Sequence, residues 1–166
     1  MKPFQKILVP VDFSPHSAQA IRTAAELSAR FDASVTLIHV QEPLDYALPE
    51  GYVVLTAAQI DSLTAELAKL LAVAKSDAEA AGARGVATRQ LNGIASLSIV
   101  EFAKSEPFDL IVMGTHGRTG LRHALMGSVA ERVLRTAPCP VLTVKATPSR
   151  ERRSAIGRLP CAIDIC

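Results

Sequence analysis

Short apolar runs alternate with amphipathic stretches through most of this chain, and the alternation restricts its fold more than any other feature. Between the runs, apolar residues recur every three or four positions, the spacing of one helix face. Because parallel strands need a crossover connection, usually a helix, this order predicts an α/β fold. The predicted strands are Lys6–Val11, Ser34–Val40, Val86–Leu91, Asp109–Met113 and Pro140–Val144.

Capping and breaking residues predict where the helices between these strands begin and end. The marks are Ser14 and Pro15 for the start of the first helix, Gly82 for the end of the second, Gly93 and Pro107 around the third, and Ser128–Thr136 for the fourth. The expected apolar faces are Ala20, Ala24, Leu27 and Phe31; Ile60, Leu63, Leu67, Leu70, Ala74, Ala78 and Ala81; and Ile94, Leu97, Phe102 and Ala103. No regular structure is predicted from Gln41 to Thr56.

The composition favours one folded domain in the cytoplasm. Of 166 residues, 49% are hydrophobic and 20% charged, which is enough to bury a sizeable core. The longest aliphatic stretches are about five residues, whereas a membrane span needs about 20, and no secretory signal is visible. The three cysteines include no C-x-x-C motif, so neither a disulfide framework nor a zinc site is expected, and Cys139 is predicted to be a small buried residue.

The basic charge is concentrated at the C-terminus. Residues 145–166 carry five Lys and Arg against two acidic residues, which leaves 13 against 14 in the rest of the chain. Aromatic residues are only 4% and Trp is absent, which disfavours nucleic acid as a partner. We therefore predict a domain at 1–145 followed by a basic extension at 146–166, whose apolar end could either dock or pair.

The glycine-rich segment after the fourth predicted strand carries the clearest functional signal. Gly114, Gly117 and Gly120 leave their main-chain amides uncovered, and such amide nests bind anions, phosphate above all. The start of the Ser128 helix offers a second set of amides and a favourable dipole. Two such sites could bracket one polyphosphate.

Structural explanations for the same residues stay open. Ser128 and Glu131 match a capping box, in which they satisfy only the helix's own amides, and the glycines could be plain turn residues. A Walker loop is excluded, because no lysine lies between Met113 and Arg135.

These motifs resemble those of the universal stress protein family. Its nucleotide-binding members show G-x2-G-x9-G-[ST], which Gly114, Gly117, Gly127 and Ser128 match in full. The resemblance covers roughly residues 3–145 and includes the Pro10–Ser14 turn, His39-Val40, Asp109–Gly114 and Ala137–Leu142. It implies a Rossmann-like, open five-stranded parallel sheet of order 3-2-1-4-5, with helices on both faces. The turns after Val11 and Met113 would then form the two walls of the switch-point crevice.

The resemblance also implies which residues surround a nucleotide. Adenine and ribose would be bordered by Pro10, Val11 and Asp12, with Val40 and Met113 near the base; ribose and phosphates by Gly114, His116, Gly117, Arg118 and Gly120; and the terminal phosphates by Gly127, Ser128 and Val129. Arg118 and Arg122 could add charge-assisted bonds or be merely solvated. Asp12 could bind ribose or magnesium, or could help to cap the first helix. His16, His39 and His123 are expected to be structural or surface residues.

The leading hypothesis is a regulatory protein of the universal stress response that binds an adenine nucleotide, ATP or AMP, with Mg²⁺ as an optional companion. Little or no turnover is expected, at most slow ATP hydrolysis, because the loop offers neither a lysine nor an obvious base. The alternative is a nucleotide-independent dimeric scaffold of the same fold, against which the complete glycine pattern argues. A phosphoacceptor receiver domain is rejected, because Asp12 stands alone.

The fifth predicted strand, Pro140–Val144, is expected to lie at the sheet edge. Thr143 and Val144 would then offer unpaired main-chain groups, and an open edge invites pairing with another chain. In line with the family, we predict a homodimer through this strand.

Overall fold

A five-stranded parallel sheet organises the chain. The computed structural model describes residues 4–42, 47–48, 51–52, 56–117 and 126–146. Within these residues the strands are β1 (Lys6–Pro10), β2 (Ser34–Gln41), β3 (Ala47–Leu48), β4 (Gly51–Tyr52), β5 (Arg84–Asn92), β6 (Leu110–Gly114) and β7 (Val141–Val144). The helices are α1 (Pro15–Phe31), α2 (Ala57–Ala80), α3 (Ala95–Ser105) and α4 (Ser128–Thr136).

The order of the sheet is β5-β2-β1-β6-β7, and all of its pairs are parallel. Relative to the five predicted strands this is 3-2-1-4-5, so the predicted order is confirmed. Ile7 of β1 lies opposite Val35 on one side and Leu110 on the other. The strand order reverses between β1 and β6, which creates a crevice at their carboxyl ends.

Two apolar layers cover the opposite faces of the sheet. Ile7 and Val9 face the layer that α1 and α2 complete, whereas Leu8 faces the layer of α3 and α4. All three side chains are fully buried, because a central parallel strand is covered on both faces. Burial of one such aliphatic side chain stabilises a protein by about 1.5–3 kcal/mol.

The helix boundaries agree closely with the sequence predictions. Ser14 caps α1 by accepting a hydrogen bond from the Ser17 amide (3.2 Å), and Pro15 is the first helical residue. Gly82 follows the end of α2 with φ at +98°, the left-handed region that favours glycine. No helix of the described residues is long and apolar enough to cross a membrane.

The buried faces of α2 and α3 are smaller than predicted. On α2 the described buried residues are Leu71, Ala74 and Ala78, whereas Ile60 is 46% exposed. A 24-residue helix is about 36 Å long, whereas β5, the nine-residue strand beside it, is about 30 Å long; the buried residues of α2 lie in its second half, so its first turns extend past the sheet.

The third helix buries a different face from the one predicted. Its buried residues are Ser96, Ile99, Val100 and Ala103. Ile94 is the N-cap residue, outside the helix, and is 57% exposed, while Leu97 is 41% exposed. Phe102 is half-buried and Ala103 buried, so half of the predicted face is confirmed. In α1 the predicted face is buried at Ala20 and Ala24, but Phe31 at its end is 37% exposed.

The connection predicted to be irregular contains one short pairing. Ala47 lies opposite Tyr52 and Leu48 opposite Gly51 in an antiparallel two-stranded sheet. Strands of two residues are too short to show an alternating pattern, which is why the sequence did not reveal them.

The edge strands of the described sheet are β5 and β7, as predicted. Ile111 donates to the carbonyl of Pro140 (2.9 Å), and Thr115 donates to that of Val144 (3.0 Å). Since strand residues alternate, the main-chain groups of Val141 and Thr143 point away from β6. The expectation that Val144 offers unpaired groups is therefore wrong for its carbonyl.

Cys139 is half-buried, less enclosed than predicted. Burial of the thiol, and secondarily the negative charge of Asp109, raise its pKa above the ordinary value. Asp109 itself accepts hydrogen bonds from the amides of Gln5 (2.8 Å) and Lys6 (2.9 Å), which ties the start of β1 to that of β6.

Candidate functional site

The turn after β1 forms the first wall of the crevice. Val11 is buried, and its amide donates to the carbonyl of Ile38 (2.8 Å), which keeps this residue beside β2. Asp12 accepts a hydrogen bond from the Ser14 amide on Oδ1 (3.0 Å). Phe13, between them, has φ at 63°, in the left-handed region. Asp12 thus shapes the turn that leads into α1, which supports the capping interpretation for one of its two oxygens.

His39 holds this turn from the end of β2. Its Nδ1 donates to the carbonyl of Val11 (2.7 Å), because a carbonyl oxygen can only accept. The imidazole also lies against the ring of Phe13, with centroids 4.7 Å apart. His39 is 9% exposed and has the structural role that the sequence predicted.

Gly114, the last residue of β6, and Gly117 allow the second wall to approach the first closely. An ideal Cβ on Gly114 would lie 2.7 Å from Cβ of His16, and one on Gly117 would lie 2.9 Å from Oδ2 of Asp12. Real Cβ atoms essentially never make such short contacts, so a side chain on Gly114 would shift the backbone of α1, whereas one on Gly117 would make the Asp12 carboxylate rotate away. Asp12 and Gly117 are where the two walls meet.

Thr115 connects the glycine loop to its surroundings and was missed at the sequence level. It is 3% exposed; its carbonyl accepts from the amide of Gly127 (2.8 Å), and its amide donates to Val144. Its hydroxyl lies 3.0 Å from Nδ1 of His116. Two of these three bonds are main-chain bonds, which any residue type can make, so no sequence pattern pointed to them.

The start of α4 differs from the starts of the other helices. The α1 start is capped by Ser14, α2 by a capping box of Thr56 and Gln59, and Ala95 of α3 donates to the carboxylate of Glu42 (3.0 Å). The N-cap residue of α4 is Gly127, and no described side chain hydrogen bonds to its first amides.

The capping-box interpretation of Ser128 is wrong. Gly127 holds the N-cap position with extended φ and ψ (−74°, 152°), so Ser128 is the first helical residue and its side chain is exposed. Its hydroxyl is therefore not placed to cap this helix. The first amides of a helix have no partners within it, and together with the helix dipole they favour an anion.

Most of the predicted site residues that the structure describes lie around this crevice. Pro10, Val11 and Asp12 come from β1 and its turn, Met113 to Gly117 from the end of β6, and Gly127 to Val129 from the start of α4. Arg118 and Gly120 lie outside the described residues, as do Arg122 and His123.

The side chains of Val11 and Met113 are not available to a ligand. Both residues are 5% exposed, and they belong to the cores on opposite faces of the sheet, so only their main chain borders the crevice. Val40, at the end of β2, is half-buried and packs on the same core as Met113. Met126 and Val129 pack against that core as well, and the sequence had not singled out Met126.

His16, which was expected to be structural or on the surface, lies beside His116. It is the second residue of α1, and its ring centroid is 5.4 Å from that of His116. Among the described residues, no group of three or more His, Cys, Asp or Glu side chains could hold a metal ion.

Comparison with known sequences identifies one family. The model of the Universal stress protein family matches residues 3–145. Universal stress protein MJ0531 of Methanocaldococcus jannaschii is 41% identical over 150 residues, which cover 89% of this chain and 85% of the relative.

Solved structures of similar proteins share the fold. The structure of MJ0577, a Methanocaldococcus jannaschii protein, superposes with a TM-score of 0.75 at 31% identity and covers 89% of this chain and 99% of its own. The crystal structure of a universal stress protein in complex with cAMP has a TM-score of 0.68 at 26% identity, covering 87% of this chain and 99% of the other.

Proposed function

This chain belongs to the universal stress protein family, and from that premise we propose that it binds an adenine nucleotide, ATP or AMP, in the crevice between β1 and β6. It would act as a regulatory protein of the stress response, with occupancy of the site as the signal. We place it in the cytoplasm, with residues 1–145 as the binding domain and 146–166 as an extension.

The start of α4 is the observation that carries this proposal. Its first amides have no described side-chain partner, whereas each of the other three helices meets one. These amides lie beside the glycine loop, since an ideal Cβ on Gly127 would be 3.9 Å from the amide nitrogen of Gly117. Two sets of main-chain donors at one place suit the phosphates of a nucleotide.

The base and ribose would lie toward β1 and β2. The main chain of Pro10 and Val11 borders the crevice there, and Val40 offers apolar surface at the end of β2. Asp12 uses Oδ1 within its turn, while Oδ2 lies beside Gly117 and would accept a hydrogen bond from a ribose hydroxyl. The nucleotide would thus run from Val40, past Asp12 and Gly117, to Ser128.

A complex of a universal stress protein with cAMP, 26% identical to this chain, supports an adenine nucleotide as the ligand. Magnesium would enter with a triphosphate as its counter-ion. We expect little or no turnover, because beyond Arg118 and Arg122 the loop contains no lysine and no obvious base, and phosphoryl transfer depends on cations and a base placed around the transferred group.

Mass spectrometry of small molecules released from the purified protein, followed by calorimetric titration with ATP and AMP, tests the proposal. Gly117→Val should lower the affinity at least tenfold, because its side chain would displace the Asp12 carboxylate and close the crevice. Ala80→Val, which places the same valine side chain at an exposed position of α2, is the control and should bind like the wild type.

Two results would contradict the proposal. If the wild type shows neither a released nucleotide nor saturable binding, the protein is better explained as a scaffold that works without nucleotide. If Gly117→Val binds as well as the wild type, the nucleotide lies elsewhere.

The dimer predicted from the sequence is part of the same proposal. The main-chain groups of Val141 and Thr143 on the edge strand β7 point away from β6, and Leu142 (39% exposed) and Leu134 (48% exposed) flank this edge. Unpaired strand groups next to exposed apolar side chains suit pairing with a second copy of the chain.

A further inference from the structure

Two imidazole rings face each other where the walls of the crevice meet. His16 is the second residue of α1, and His116 is the second residue after β6. Their centroids are 5.4 Å apart with 47° between the ring planes, and both residues are half-buried. Histidine is the side chain that ordinarily changes charge near neutral pH. We call His16 and His116 the histidine pair.

The surrounding backbone fixes the position of the histidine pair. Cβ of His16 lies 2.7 Å from where a Cβ on Gly114 would be, so the first turn of α1 is pressed against the end of β6. Nδ1 of His116 lies 3.0 Å from the hydroxyl of the buried Thr115. Cα of His116 is 3.7 Å from an ideal Cβ on Gly127, the N-cap residue of α4. The main chain of His116 therefore lies beside the N-cap of α4, where we place the phosphates, and the His16 ring lies next to that of His116.

We infer that the histidine pair completes the phosphate site, so that His16 becomes a nucleotide-binding residue and binding of a nucleotide takes up protons. This inference rests on the proposed function. Two imidazolium ions at this separation repel each other, and an adjacent phosphate offsets the repulsion with its own charge. Phosphate binding therefore favours the protonated pair, and lower pH favours phosphate binding.

Other charged groups at this end of the sheet set the background for the histidine pair. Asp12 lies in the turn before α1, Glu131 in the first turn of α4, and Lys145 directly after β7. Aspartate, glutamate and lysine ordinarily keep their charge between pH 6 and pH 8, whereas histidine does not. Arg118, Arg122 and His123 belong to the same loop and lie outside the described residues. Among the protein's side chains, histidine is therefore the type expected to make the affinity depend on pH over this range.

The expected size of the effect follows from the proton affinity of one ring. An imidazole that binds its proton tenfold more tightly beside a phosphate makes phosphate binding about sixfold tighter at pH 6 than at pH 8. Two responding rings give a larger ratio. Adenosine, which carries no phosphate, should bind equally at both pH values.

Calorimetric titration of the full-length protein with ATP, AMP and adenosine at pH 6 and pH 8 tests the inference. We compare the wild type with His16→Gln and His116→Gln, which keep polar side chains of similar length. Arg22→Gln is the matched control, because it removes a positive charge from an exposed position of the same helix. Since the phosphates of ATP and AMP also titrate, the ratio between wild type and variant isolates the contribution of the protein.

For each protein we take the ratio of its ATP affinity at pH 6 to that at pH 8. We expect this ratio to be several-fold larger for the wild type than for either histidine variant. Arg22→Gln should give the same ratio as the wild type. If the variants keep the full pH dependence of the wild type, the inference is overturned while the proposed function stands. If the wild type binds no nucleotide at either pH, the proposed function fails and the inference falls with it. Proton uptake, measured in buffers of different ionisation enthalpy, should decrease in both variants.

Discussion

At the scale of single residues, Gly114 and Gly117 matter because they lack a side chain, which lets neighbouring atoms pack closely. A methyl group on Gly114 would meet Cβ and main-chain carbon of His16 at 2.7 and 3.0 Å, atoms that cannot move without shifting α1. On Gly117 it would meet one oxygen of a side chain that can rotate. The sequence predicted both glycines from their spacing, but only the structure shows that Gly114 adjoins the backbone of α1, whereas Gly117 adjoins the Asp12 carboxylate.

Gly114→Ala should therefore lower the stability of the fold. Overpacking of this kind costs about 1–3 kcal/mol, and urea unfolding followed by circular dichroism measures it. Gly117→Ala is the comparison and should lose less stability. A Gly114→Ala variant as stable as the wild type would show that α1 and β6 are not pressed together as described.

The thiol of Cys139 should react slowly near neutral pH. Burial, and then Asp109, raise its pKa, so the reactive thiolate is scarce in the folded protein. We expect iodoacetamide to modify Cys139 more slowly in folded than in urea-unfolded protein at pH 8, measured in a Cys161→Ser, Cys166→Ser background. Equal rates in both states would contradict the raised pKa.

The same shift has a consequence for stability, with a defined sign. A group whose folded pKa lies above its unfolded pKa contributes stability that is complete below the unfolded pKa. That contribution is lost as pH rises through the folded pKa. Wild-type protein should therefore lose more stability than Cys139→Ala at alkaline pH, and no more at pH 7.

At the scale of elements, the helices differ in whether a side chain caps their first amides. Ser14 and Thr56 cap α1 and α2 from adjacent sequence, and both could be recognised there. Glu42 caps α3 from 53 positions away, a contact that depends on the pairing of β2 with β5. Local patterns cannot report such a partner, and for the same reason they could not show that α4 lacks one among the described residues.

Glu42→Ala should destabilise the protein by about 1 kcal/mol, because a first-turn amide of α3 loses its charged acceptor. Glu42→Gln keeps an oxygen without the charge and should lose about half as much. Urea unfolding of the three proteins gives the comparison. If Glu42→Ala is as stable as the wild type, water replaces this carboxylate at no measurable cost.

The extent of each buried face was harder to predict than the existence of the helix. The spacing of apolar residues located α2 and α3 correctly, because period alone defines a helix. Which residues are covered depends on the neighbouring elements: Ile60 lies on the part of α2 that passes beyond the sheet, and Ile94 precedes the first turn of α3. In the site, main-chain hydrogen bonds such as those of Thr115 could not be predicted from the sequence either.

At the scale of the whole molecule, the strand order places the candidate site and the open edge only two strands apart. The order was predictable because the resemblance covered nearly the whole sheet, and the family match over residues 3–145 confirms that resemblance. For the assembly, the sequence could predict only that an edge strand is available for pairing.

We expect a dimer in sedimentation velocity at tens of micromolar, and a monomer for Thr143→Pro. Proline removes the amide that points away from β6 and leaves the bonds of Pro140 and Val144 to their neighbours intact. Pairing with a second chain at this edge would lose a hydrogen-bond donor, while the hydrogen bonds between β6 and β7 would remain. A wild type that sediments only as a monomer would rule out the β7 dimer.

The main chain of Thr115 touches both of these regions, since its amide binds β7 and its carbonyl binds the start of α4. If pairing at β7 shifts Thr115 and with it the start of α4, assembly and ligand occupancy are thermodynamically linked, and linkage is reciprocal. If a bound nucleotide multiplies the association constant of two subunits by some factor, association multiplies the affinity for the nucleotide by the same factor. A sensor built in this way would respond to its own cellular concentration as well as to that of the metabolite.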